Sequence, residues 1–191
     1  EDSFGEDGED GWVLSRQIAL LNPLSSDLGV MRQSLLFQGL EAIARNANYQ
    51  RPNLRLFELG KIYQHGKNSV ETSKNAAQRY EETERLAVFM TGTASPENWN
   101  NAFTEIDAYA LKTEVYNLLA SLGISIATVR ESSLKTALIS EGVELSCQGQ
   151  NIGRMGKVQS VVASKQGVKQ DVFWADLAVS TLTKIIGRSR I

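Results

Sequence analysis

The stretch LRLFELGKIYQHG, residues 54–66, decides how the chain is read. Leu54, Leu56 and Glu58 alternate with Arg55, Phe57 and Leu59, and a period of two sends successive side chains to opposite faces of a strand. Both faces carry bulky apolar groups, which predicts an interior strand rather than an edge. Gly66 follows His65, the chain's sole histidine, and marks a turn. A histidine there is a candidate general base. The plainer expectation is a turn residue with its ring in water.

On the N-terminal side, SRQIALLNPLS predicts a short strand at residues 17–21, stopped by Asn22-Pro23, because proline cannot donate to a ladder. Leu36, Leu40, Ile43 and Ala47 then recur at helical spacing. Ser34 is a candidate cap, with Ser25 and Asp27 competing, and the helix should end before Pro52. On the C-terminal side, residues 68–84 are polar and predict a loop or a short exposed segment. RLAVFMTGT predicts a second interior strand. Leu111, Val115, Leu118 and Leu122 define the clearest helical face, with Gly123 at its stop. SIATVR, KTALIS, VELSCQG and NIGRMGKVQ are strand candidates, the last two joined by a hairpin at CQGQN. SVVASKQG predicts a short helix, DVFWADLAV a strand and STLTKII a last helical piece. Several consecutive strands on short turns predict an α+β fold, an antiparallel β-sheet with packed helices.

The 191 residues suit one large domain or two small ones. Hydrophobic residues at 42% and charged residues at 22% allow a packed core, the composition of a soluble globular protein. A net charge of −2 without a basic block argues against a free-standing nucleic-acid binder. Arg32, Arg45, Arg51 and Arg55 are the candidates if it is one, diluted by Glu41 and Glu58. Cys147 stands alone, so no internal disulfide is possible, and a partly buried strand cysteine is expected. No apolar run reaches the ~20 residues of a membrane helix. EDSFGEDGEDGW carries six acidic residues and no basic ones, so residues 1–16 are expected to be an acidic flexible lead-in, with a single domain over 17–191. Asp7 and Asp10 lack the spacing of a calcium loop. The chain opens on Glu1 rather than Met, which we take as processing or as a fragment of a longer protein.

Bottom-up chemistry finds no active site. There is no Walker loop, and His65 lacks the histidine or nearby cysteine partners a zinc ion needs. GRMG at residues 153–156 matches a KH-type loop only over four residues, and a strand bulge is the expected reading. Glu105 and Asp107 are explained by capping at a helix start, where the dipole favours negative charge.

Four stretches in order change this. LLNPLSSDLGVMRQSLLFQGLEAIARN, LRLFELGKIY, IDAYALKTEVYNLLASLGI and IGRMGKVQSVVASKQGVKQDVFWADLAVSTL together resemble the β subunit of bacterial phenylalanyl-tRNA synthetase, in particular its class II synthetase-like core. The matching positions are Asn22, Pro23, Leu24 and Ser25, then Met31, Arg32 and Asn46. Phe57, Glu58, Leu59, Gly60, Lys61, Ile62 and Tyr63 follow, then Asp107, Leu111 and Lys112, and finally Ile152, Gly153, Met155 and Gly156. The likeness runs over residues 18–186.

The resemblance implies a degenerate class II aminoacyl-tRNA synthetase-like catalytic fold. In the family's catalytic α subunit, an arginine after the aromatic of the GKIY-like strand binds the ATP α-phosphate. The corresponding residue here is the neutral Gln64. The second arginine, after a glycine-rich strand-helix motif, has no counterpart in WADLAVSTLTKI. The resemblance therefore implies no catalytic, cofactor-binding or metal-binding residue in this chain. Asn22, Pro23, Met31, Arg32, Asn46, Phe57, Glu58, Gly60, Gly153 and Gly156 become structural or interface positions. It implies an α-subunit partner in an α2β2 heterotetramer, tRNA(Phe) as the whole enzyme's substrate, ATP and Mg2+ as its requirements, and the cytoplasm as its place. Nothing here matches the family's editing or anticodon-binding domains. The alternatives are a free-standing tRNA or nucleic-acid-binding module, and a ligase or hydrolase using His65.

Overall fold

The computed structural model describes residues 16–22, 29–66, 79–95 and 104–188. Residues 1–15 of the acidic lead-in and the Pro23, Leu24 and Ser25 positions lie outside them. In chain order the elements are α1 (Leu36–Asn48), β1 (Leu54–His65), β2 (Tyr80–Thr91), β3 (Thr93–Ser95), β4 (Thr104–Glu105) and α2 (Ala108–Ser121). A 3-10 turn (Ile126–Thr128), β5 (Val129–Leu134), β6 (Ile139–Cys147), β7 (Gln150–Val158), α3 (Ser160–Lys165), β8 (Val172–Ala178) and α4 (Val179–Arg188) follow.

Six strands form one antiparallel sheet in the order β1-β2-β8-β7-β6-β5, and β3 and β4 pair apart from it. All seven residues of β8 are buried, as expected of a central strand covered on both faces. On one face α2 and α4 pack Leu111, Val115, Leu119, Leu182 and Ile185 against Met90, Leu145 and Phe173. On the other, α1 and α3 pack Leu36, Leu40, Ile43 and Val162 against Phe89 and Trp174. Each fully buried aliphatic side chain contributes about 1.5–3 kcal/mol of transfer free energy. Gly39 lets α1 sit this low: a Cβ there would lie 2.1 Å from the Phe89 ring.

The α+β fold with an antiparallel sheet and packed helices is thus present, and several local expectations need correction. β1 is an edge strand, not an interior one. Leu54, Leu56 and Ile62 pack beneath α1, but Phe57 is 78% exposed and Leu59 64%. Two apolar faces on a strand do not distinguish a second core from an uncovered surface. Residues 17–21 form only an isolated bridge, Ala19 to Val30, in place of a strand. Residues 80–84 are strand rather than loop, because pairing with β1 outweighs their polarity, and Lys61 meets Glu82 across the pair at 2.5 Å. The buried face of α2 runs through Leu111, Val115 and Leu119, while Leu122 is exposed. Glu105 lies in β4 rather than at the helix start, and residues 135–138 precede β6 instead of opening it.

Other expectations hold. Asp107 caps α2 by accepting from the Ala110 N–H at 2.7 Å; at α1 the N-cap position falls to Leu35, and Ser34, one residue earlier, accepts from the Leu36 N–H at 3.1 Å. Gly123, at φ +82°, follows the last turn of α2. Gln148 and Gly149 both have positive φ, the signature of a tight β6–β7 hairpin. Cys147 lies in a strand as expected, at the end of β6, but is fully rather than partly buried.

Candidate functional site

Side chains alternate along β1, so Leu56, Glu58, Gly60, Ile62 and Gln64 share the face that carries α1. Where α1 no longer covers this face, the strand ends enclose a cavity of about 390 Å³. Gln64, Glu81, Arg85, Asn151, Arg154 and Asp176 contribute its polar lining, with Ser180 and Thr181 from the start of α4. The position after the GKIY tyrosine therefore faces the cavity. Gln64 extends its amide towards Glu81 at 3.5 Å, and Glu81 is held by Arg16 at 2.9 Å.

The centre of the site is a partly buried ion cluster. Arg85 Nε meets Asp176 Oδ1 at 2.7 Å, and Arg85 Nη2 also donates to the Asp176 carbonyl at 3.3 Å. Arg154 lies opposite Asp176 in the β7–β8 ladder, with its Nε 3.5 Å from Asp176 Oδ2. Its guanidinium stacks over the Trp174 ring at 5.2 Å. Both guanidiniums thus spend their charge on one carboxylate. Along the lining, three carboxylates, Glu81, Glu144 and Asp176, face two guanidiniums, Arg85 and Arg154. A polyphosphate needs the reverse balance, fixed cations placed to meet its oxygens. The residues present do not fit a nucleotide triphosphate.

Gly153 shapes the wall. Its φ is +150°, and a Cβ would lie 2.4 Å from the Asp176 carbonyl oxygen. It sits where the β6–β7 register shifts, so the GRMG stretch is a bulged strand, as expected, and no KH loop. Gly156 approaches the backbone of β6, with a Cβ position 2.4 Å from the Glu141 carbonyl oxygen.

Three other motif positions form one unit. Arg32 bonds Glu58 at 2.7 Å and the Lys61 carbonyl at 2.8 Å, while its own carbonyl accepts from the Tyr63 N–H at 2.8 Å. A Cβ on Gly60 would lie 2.6 Å from Arg32 Nη2, so this glycine leaves room for the guanidinium. Arg32, Glu58 and Gly60 therefore latch the segment before α1 onto β1. Asn46 bonds the Ala42 carbonyl at 2.8 Å, and its own carbonyl accepts from the Tyr49 and Arg51 N–H groups, closing the end of α1. Met31 precedes this latch and lines a neighbouring hollow, Asn22 is exposed, and Phe57 points to the opposite face.

His65 is corrected in its surroundings. It is the last residue of β1 rather than a turn residue, half-buried, with its ring 5.2 Å from that of Tyr80. Alternation turns it away from the face of Gln64 and the cavity. The four arginines proposed for nucleic acid do not form one patch. Arg32 lies over Gly60, whereas Arg55 belongs to the other face of β1 and bonds the Ala94 carbonyl at 3.1 Å. Among the described residues no group of three His, Cys, Asp or Glu side chains could hold a metal ion, and no helix is long and apolar enough to cross a membrane.

A second titratable cluster joins α2 to β5. Lys112, a motif position, meets Glu131 at 2.6 Å, and the Tyr116 hydroxyl donates to the same carboxylate. Lys112, then Tyr116, hold the Glu131 carboxyl below its usual range. Burial, then the bond to Glu131, push the Tyr116 phenol above its own.

The sequence gives no local sign of the Arg85–Asp176–Arg154 cluster, whose first two members lie 91 positions apart. A strand order with β8 beside β2 and β7 is what joins them.

The fold is similar to that of solved aminoacyl-tRNA synthetase structures. A solved structure of pyrrolysyl-tRNA synthetase from Desulfitobacterium hafniense matches with a TM-score of 0.63 over 90% of this chain and 53% of that one, at 13% identity, a likeness of fold alone. The family model of the phenylalanyl tRNA synthetase beta chain CLM domain matches residues 4–179, and the chain belongs to that family. The phenylalanine--tRNA ligase beta subunit of Bacteroides fragilis is 32% identical over 94% of this chain and 22% of its own length. That of Bacteroides thetaiotaomicron is 31% identical over 97% and 23%, and that of Porphyromonas gingivalis 28% identical over 91% and 21%. The chain spans about a fifth of the length of these relatives.

Proposed function

We propose that this chain is a non-catalytic, synthetase-like module of a phenylalanine–tRNA ligase β subunit. In this reading it supports the active site of an α subunit within a cytoplasmic α2β2 assembly that charges tRNA(Phe), with ATP and Mg2+ used by the α subunit. Family membership supports the setting. The single observation that carries the non-catalytic part is the cavity. Gln64 stands where the resemblance places an ATP-binding arginine, and the two guanidiniums nearby are committed to Asp176. Adenylation needs a fixed cation to stabilise charge developing at phosphorus, and this lining offers none to spare.

Isothermal titration calorimetry tests the reading. The folded chain should give no heat of saturable binding with Mg-ATP at millimolar nucleotide, and a subunit carrying the module should co-purify with its α subunit. Micromolar Mg-ATP affinity in this chain alone would refute the non-catalytic assignment. A subunit that remains separate from α on gel filtration would refute the assembly role.

A further inference from the structure

The outer edge of β1 is covered along one half and open along the other. Antiparallel pairing turns the N–H and C=O of every second residue away from the partner strand. Tyr63 fixes the parity, because its N–H leaves the sheet to reach the Arg32 carbonyl. The carbonyls of Lys61 and His65 are likewise met from outside, by the side chains of Arg32 and Arg16. By the same parity, Arg55, Phe57 and Leu59 present three N–H and three C=O groups outward. Among the described residues nothing hydrogen-bonds these groups.

Apolar surface lies open at the same place. Phe57 and Leu59 stand opposite Val88 and Leu86 in the ladder, on the face that α2 and α4 cover further in. An open, apolar strand edge is a template for another strand, and native proteins cover it.

The size of the opening says what kind of occupant fits. Three outward residues and two exposed side chains bury far less than the ~1,600 Å² of a stable association between separate chains. A strand tethered to the same polypeptide needs no such area, because its effective concentration is about millimolar. The relatives have the necessary chain: about four-fifths of their length lies outside the part that matches these residues. We propose that, in a subunit of that length, an extended segment from outside these 191 residues adds to the β1 edge at Arg55, Phe57 and Leu59. It pairs through its backbone and sets apolar side chains against Phe57 and Leu59.

Hydrogen–deuterium exchange resolved by fragment mass spectrometry tests this in a subunit of the relatives' length, against rates for an unstructured peptide. The Phe57 and Leu59 amides should exchange at least about 100-fold slowly in the longer subunit. In the 191-residue chain they should be fast, with Tyr63 slow as the internal control. Fast exchange of Phe57 and Leu59 in the longer subunit overturns the proposal. So does protection that rises with the concentration of the 191-residue chain, which assigns the edge to a second copy. So does protection that appears only when an α subunit is added, which assigns it to a partner. A second measurement uses Phe57→Lys, which should lower the melting temperature of the longer subunit and leave the 191-residue chain unchanged. No shift in the longer subunit overturns the proposal as well.

Discussion

Replacing Asp176 with alanine should be among the most damaging single changes in this protein. Asp176 is 8% exposed and is the carboxylate that both Arg85 and Arg154 engage, at 2.7 and 3.5 Å. The side chains of the two arginines are only 18% and 14% exposed, so water entering from the cavity replaces the lost anion only in part. Removing one partner of a buried ion pair costs about 3–5 kcal/mol, because the other charge stays buried without compensation. For a chain of this size about 2–4 °C is lost per kcal/mol, so the melting temperature should fall by about 6–20 °C. Circular dichroism melts of the wild type, Asp176→Ala and Asp176→Asn would measure it, with the amide retaining part of the hydrogen bonding and falling between. The same physics predicts that replacing all three residues together with apolar side chains of similar volume costs less than Asp176→Ala alone. A melting temperature for Asp176→Ala within about 2 °C of wild type would refute the view that the cluster is a buried, mutually compensated unit.

Gly39→Ala should destabilise by about 1–3 kcal/mol in urea unfolding, because the new methyl overlaps the Phe89 ring and lifts α1 from the sheet. Gly60→Ala should displace Arg32, and exchange at the Tyr63 amide should quicken as the latch to the Arg32 carbonyl loosens. Glu131 has a lowered pKa in the folded state, so its stabilisation is present above the unfolded carboxylate value of about 4.3 and is lost as pH falls through the folded one. Stability measured from neutral pH downward should therefore decline less in Glu131→Gln than in wild type. Tyr116 has the opposite sign: its contribution is present below the unfolded phenol value of about 10 and is lost as pH rises through the raised folded one. Tyr116→Phe should remove one late-titrating tyrosinate from the absorbance at alkaline pH.

Much of the fold is legible where one element answers to one local pattern. Leu36, Leu40 and Ile43 announce α1 by spacing, Asp107 and Gly123 bound α2, and CQGQN announces the β6–β7 hairpin. The failures share a cause. Whether Phe57 and Leu59 meet a core or open solvent depends on what lies beside β1, and that is a property of sheet order rather than of the strand. Residues 80–84 look like loop because four of the five are polar or charged, yet their partners across the ladder supply what composition denies. In the candidate site, Gln64 could be picked out because a family resemblance marked its position. Arg85, Arg154 and Asp176 could not, since each belongs to a different strand and none sits in a motif that singles it out. The arginines of the nucleic-acid reading fail for a related reason: nearness in sequence says nothing of the sheet between their faces.

The place of β8 has a consequence for how the molecule comes into being. Of the six strands of the sheet β8 comes last in the chain, yet it stands between β2 and β7 at the middle of the sheet. Until residues 172–178 leave the ribosome, the β1–β2 pair and the β5–β6–β7 meander have no strand in common. The nascent chain must therefore carry two unjoined half-sheets, each with an exposed inner edge, and join them late. Pairing across such separations is slow and leaves open edges prone to misassembly. The vulnerable moment comes when one short apolar segment must find two waiting edges at once.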